Sequence, residues 1–197
     1  MRTTLIPTPG LGRLLNALTM IILLAAGPAR AAVTAYTAAL AGANESPPNA
    51  SPAVGIAQVE LDDVADTMHL TVVFSGLQGV TTSAHIHAAT ALPGQGNVGV
   101  ATTTPTFSGF PAGVTSGSYE VTLDMTQLSS YNPSFVAASG GTAAAAEAAL
   151  FQSIAEGRAY FNLHTTVFGG GEIRGFFVAD SVPDVGATWG GIKTLYR

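Results

Sequence analysis

The feature that most constrains this chain is an alternation of apolar and polar residues with period two, broken at short intervals by turn-forming clusters. Met68, Leu70, Val72 and Phe74 alternate with His69, Thr71, Val73 and Ser75, and Tyr119, Val121, Leu123 and Met125 with Glu120, Thr122 and Asp124. Successive side chains of a strand point to opposite faces, so each run reads as a strand with one buried face. Shorter runs of the same kind occupy Tyr36–Leu40, Val54–Leu61, Ala84–Ala88, Ala159–Thr165 and Glu172–Ala179. Turn clusters separate them at 44–52, 62–66, 76–79, 93–97, 110–117 and 169–171. Seven or eight short strands punctuated in this way predict an all-β, antiparallel β-sandwich or Greek-key barrel.

One segment departs from the pattern. Residues 142–157 are dominated by alanine and other helix formers, with Thr142 placed to cap the start and Gly157 to end it. Leu150, Phe151 and Ile154 form its apolar stripe, which predicts a single helical crossover before the strand near Ala159. No solenoid-type repeat or heptad is present.

Residues 1–31 read as a signal peptide. Arg2 and Arg13 precede the apolar run Leu14–Ala26, Gly27-Pro28 breaks it, and Ala29-Arg30-Ala31 supplies a small-x-small cleavage pattern before Ala32. An uncleaved anchor is the alternative, though the run is short for a bilayer span. Removing Arg2, Arg13 and Arg30 leaves four basic residues against twelve acidic ones, so the net charge moves from −5 to −8. An acidic chain of this kind lacks the basic footprint of a nucleic-acid binder. It contains no cysteine, so a disulfide scaffold is excluded and an oxidising compartment is tolerated. The expected location is secreted, periplasmic or at the cell surface, with no stable transmembrane segment in the mature chain and an unidentified ligand or surface partner.

The candidate chemistry lies in three of the four histidines. In Ser83-Ala-His-Ile-His87 the alternation sends His85 and His87 to one face, with Cα atoms about 6.5–7 Å apart. His164 shares the less apolar face of its strand with Asn162, opposite Phe161 and Leu163. Brought together, His85, His87 and His164 would offer a three-nitrogen site suited to copper or zinc. The alternative is three histidines that do no more than hydrogen-bond neighbouring carbonyls. His69 is expected to face solvent. Gly169-Gly-Gly-Glu-Ile-Arg-Gly175 delivers Glu172 and Arg174 to one face, either to pair with each other or, for Arg174, to guide an anion towards a metal. No nucleophile elbow, phosphate loop or Cys–His pair is present, so no catalytic residue is named. Asp62, Asp63 and Asp66 read as solvated turn residues rather than a calcium loop.

These segments, in this order, resemble the CHRD domain, a module named from the extracellular protein chordin and found in bacterial exported proteins. The likeness is carried by Tyr36–Pro48, Gly55–Val59, Ala84–His87, Ala159–Thr165 and Gly170–Gly175. It covers about residues 36–179 and implies an extracytoplasmic all-β binding or structural module over residues 32–180. A more distant likeness is to copper–zinc superoxide dismutase, which also has a His-x-His strand, a later copper-ligand histidine and a Gly-rich turn leading to an arginine beside the metal. That likeness implies copper ligands at His85, His87 and His164 and an anion guide at Arg174. The segment between Ala88 and Gly157 has no histidine, so the bridging and zinc-binding set of that family is missing, as are its cysteines. A copper-dependent redox enzyme and a purely structural surface protein therefore stand as the alternatives to a binding module. The tail, residues 181–197, opens with Val182-Pro-Asp184, similar to the start of a C-terminal sorting signal, but its remainder is too short to span a membrane.

Overall fold

The computed structural model describes residues 33–180; residues 1–31, expected to be a signal peptide, and the tail 181–197, with its expected sorting-signal-like motif, lie outside the described residues. The alternating runs become eight strands: β1 (Thr34–Ala41), β2 (Val54–Asp62), β3 (Thr67–Ser75), β4 (Thr81–His87), β5 (Gly117–Asp124), β6 (Tyr160–Thr165), β7 (Ile173–Phe176) and β8 (Val178–Ala179). They form one antiparallel sheet in the order β4-β6-β7-β1-β2-β3-β5, with β8 also on β1. The sheet curls into a half-barrel, an all-β fold with few helices, as the periodicity predicts.

The alternation is realised face by face. Ala38 and Leu40 of β1, Ala57 and Val59 of β2, Met68, Leu70, Val72 and Phe74 of β3, Ala84 and Ile86 of β4, and Phe161 and Leu163 of β6 are all buried in one hydrophobic core. Phe107, from the long connection after β4, stacks on Phe161 with ring centroids 6.2 Å apart. Burying each large side chain of this set contributes about 1.5–3 kcal/mol. On β5 only Tyr119 is buried while Val121 and Leu123 are half-exposed, because β5 is the end strand and has a neighbour on one side alone.

The predicted crossover is α2 (Ala143–Ala155). The Thr142 side chain accepts a hydrogen bond from the Ala145 amide, and Gly157 follows with φ +66°. Leu150 and Ile154 are fully buried against the sheet, whereas Phe151 is half-exposed. A second helix, α1 (Pro133–Ala138), was not expected; Asn132 caps it by accepting from the Ser134 amide. The run from Glu172 to Ala179 is two strands rather than one. At Gly175 the chain passes so close to β1 that a Cβ would collide with the Ala39 backbone carbonyl, and this approach closes the β7–β1 junction. No helix among the described residues is long and apolar enough to cross a membrane.

Candidate metal centre

Three strands build a polar patch on the face of the sheet opposite the core. Register places His87 beside Tyr160 and Tyr160 beside Phe176, and in the next row His85 beside Asn162 and Asn162 beside Arg174. His164 stands opposite Ser83, one row further on, so it meets His85 diagonally. The three sequence-predicted histidines therefore converge, with one ligand nitrogen from each within 4.8 Å of the others. His69 is on the far part of the sheet, half-exposed, with Nδ1 3.0 Å from the Thr122 hydroxyl.

Each imidazole is oriented by a backbone carbonyl. His85 Nδ1 lies 3.2 Å from Pro105 O, His87 Nδ1 2.7 Å from Val98 O, and His164 Nδ1 3.0 Å from Gly169 O. A carbonyl oxygen only accepts, so every Nδ1 carries its hydrogen and donates, which leaves Nε2 of each neutral ring as a bare lone pair. His85 Nε2 and His164 Nε2 face each other at 3.0 Å, and the Nε2 of His87 is buried without a partner. Protonation would relieve the opposed lone pairs, but the surroundings resist it. Burial first, then the neighbouring His87 and His164, push the His85 pKa down to about 4; burial likewise lowers His87 to about 4 and His164 below its usual value. Three oriented, neutral nitrogens with no other partners have the donor chemistry of a metal site, and the carbonyls of Pro105, Val98 and Gly169 already fix the rings that would hold the ion.

Behind the histidines is a column that sequence reading missed in part. His87 stacks on Tyr160 with centroids 4.6 Å apart and planes 7° from parallel. The guanidinium of Arg174, arriving from the strand on the other side of Tyr160, lies 4.8 Å from that ring's centroid. Arg174 is 4% exposed and donates to Asn44 O, Gly96 O and Asn97 Oδ1. Its carboxylate neighbour is Glu45, at 3.9 Å, and not Glu172.

The alternative pairing of Glu172 with Arg174 is thus corrected. Glu172 is fully buried and accepts from the amides of Gln78 and Gly79 and the hydroxyls of Ser51 and Thr165, at 2.6–3.2 Å. Burial opposes its charge, yet these four donors outweigh it and hold the pKa below the usual glutamate value. Two neighbours differ: Glu45 Oε1 and Asn162 Oδ1 are buried without partners, each 2.6 Å from where a Cβ on Gly171 would stand. Burial outweighs the nearby Arg174 and pushes the Glu45 pKa up to about 7. Glu45 sits in a turn cluster of the sequence, and only its acidic side chain among Ser, Pro and Asn could have signalled it.

Fold and site together define an all-β domain with a cluster of inward-turned imidazole nitrogens on the outer face of its sheet. The chain belongs to the CHRD-domain family, whose model matches residues 36–177. That membership supports a binding or structural module. No curated protein and no solved structure matches the chain, so the likeness to copper–zinc superoxide dismutase rests on sequence motifs alone.

Proposed function

We propose that this protein is an exported CHRD-domain binding module that holds one copper or zinc ion through Nε2 of His85, His87 and His164. The observation that carries the reading is the convergence of His85 Nε2 and His164 Nε2 to 3.0 Å beside a His87 Nε2 that is buried and unpartnered. A cation at their centre converts mutual repulsion into three ligand bonds. Export is supported by the signal-peptide pattern of residues 1–31. Arg174 adds positive field one ring away from His87, which favours an anion as a further ligand of the ion.

The test is metal content after loading with copper or zinc, compared with a His85→Ala/His87→Ala variant. One equivalent in the parent and a small fraction of that in the variant is expected; equal stoichiometry removes the site. A redox enzyme of dismutase type is the second reading, carried by the convergence of the His-x-His pair with His164; Arg174 is buried with its donors taken by Asn44, Gly96 and Asn97, so it acts on the centre only through its field. Superoxide consumption by the copper-loaded protein no faster than by its Arg174→Ala variant and by the metal-free protein background eliminates it.

A further inference from the structure

We propose that the centre is a tetragonal, T-shaped cupric site, with His87 and His164 as the wide pair, His85 between them, and a fourth in-plane position opposite His85 that takes a small exchangeable anion. This rests on the three-histidine metal reading above and deepens it.

The spacing of the rings carries the argument. His85 is the central ring, 4.8 Å from His87 and 4.7 Å from His164 between centroids, while His87 and His164 are 6.5 Å apart. With metal–nitrogen bonds of about 2.0 Å, a tetrahedral pair of nitrogens stands roughly 3.3 Å apart and a pair at right angles roughly 2.8 Å apart. His85 and His164 stand at 3.0 Å, which corresponds to an angle of roughly 97° at such bond lengths. A trans pair spans about 4.0 Å. The ligand atoms of all three residues lie within 4.8 Å, so the wide pair needs an inward movement of at most roughly 0.8 Å, shared between two rings, to reach that span. One near-right angle with one wide pair is the tetragonal arrangement that copper(II) favours and zinc does not require. Copper(II) also stands highest in the affinity order of divalent ions for nitrogen donors.

The charge of the site selects the fourth ligand. Among the described residues no carboxylate or thiolate joins the three histidines: Glu172 is fully occupied by four donors, and Glu45 lies against Arg174, at 3.9 Å, rather than in the histidine cluster. Three neutral imidazoles leave the ion's two positive charges uncompensated, and Arg174 adds to the positive field. A small monoanion at the fourth position lowers that charge, whereas a fourth neutral donor does not.

Electron paramagnetic resonance of the full chain loaded with one equivalent of copper(II), titrated with sodium azide, tests the proposal. The expected spectrum is axial, with hyperfine structure from three equivalent or near-equivalent nitrogens, and azide shifts it while adding a charge-transfer band in the near ultraviolet. His164→Gln, at the exposed rim of the site, is expected to retain copper more weakly and to display two nitrogens. Bound copper with a rhombic spectrum of compressed hyperfine splitting overturns the tetragonal geometry. An unaltered spectrum under saturating azide overturns the exchangeable position, and three nitrogens persisting in His164→Gln overturn the ligand set. Failure of the parent chain to bind copper at all, with its fold intact by circular dichroism, defeats instead the metal reading on which the proposal rests.

Discussion

Lowering the pH of the metal-free protein perturbs the site without touching the sequence, and the cost follows from the two most shifted imidazoles. His85 and His87 each have a folded-state pKa of about 4 against an ordinary value of 6.5. Between those values the unfolded chain binds more protons than the folded one, so folding stability is fully present above pH 6.5 and is lost as the pH falls towards 4. From pH 7 to pH 5 the linkage amounts to about 2 kcal/mol for each ring, or about 4 kcal/mol for the pair. Glu45 acts in the opposite sense. Its folded pKa of about 7 lies above the ordinary 4.5, so its contribution is present below pH 4.5 and is lost as the pH rises through 7. Raw stability curves therefore mix the two effects, and a comparison between variants separates them. Urea unfolding in the presence of a chelator, for the parent and a His85→Gln/His87→Gln variant at pH 7, 6 and 5, reads the difference. The variant is expected to lose about 4 kcal/mol less than the parent over this range. Parallel pH dependence within about 1 kcal/mol would refute the claim that these rings are held neutral by burial.

Other expectations follow from single contacts. Glu172→Ala leaves the donors of Ser51, Gln78, Gly79 and Thr165 without their acceptor and should cost roughly 3 kcal/mol or more, read as a fall in urea midpoint; a loss below about 1 kcal/mol contradicts the clamp. Gly175→Ala forces a methyl against the Ala39 carbonyl and should cost about 3 kcal/mol, with faster amide exchange at the β7–β1 junction as the local signature. Phe161→Ala empties the space against Phe107 and should cost about 3–5 kcal/mol in thermal or chemical unfolding. Thr142→Ala removes the cap of α2 and should cost about 1 kcal/mol, measured in the same way.

Much of the fold was legible because period two reports which face of a strand is buried; β3 obeys it residue by residue, whereas β4 buries Ala84, His85 and Ile86 in succession because its outer face is also covered at the histidine cluster. What period two does not report is which strands become neighbours. The pairing of β4 with β6, and the register that sets His164 diagonally across from His85, arise from long-range closure of the half-barrel. The three histidines could therefore be named as a set, while their order around the centre could not. The acceptors that orient them are main-chain carbonyls of Val98, Pro105 and Gly169, and a carbonyl is the same at every residue. Glu172 and Arg174 share a face as alternation requires, but each found partners from other loops, since chain segments distant in sequence reach the site from both sides. Helix α1 spans six residues, too few to display a helical period; Asn132 followed by Pro133 was its one local signal.

X-ray absorption at the metal edge of the loaded protein tests the central claim most directly, because multiple scattering counts imidazole rings. Three imidazole nitrogens at about 2.0 Å are predicted for the parent and two for His164→Gln. A metal surrounded by one imidazole or none, with the remaining scatterers oxygen, would contradict the account.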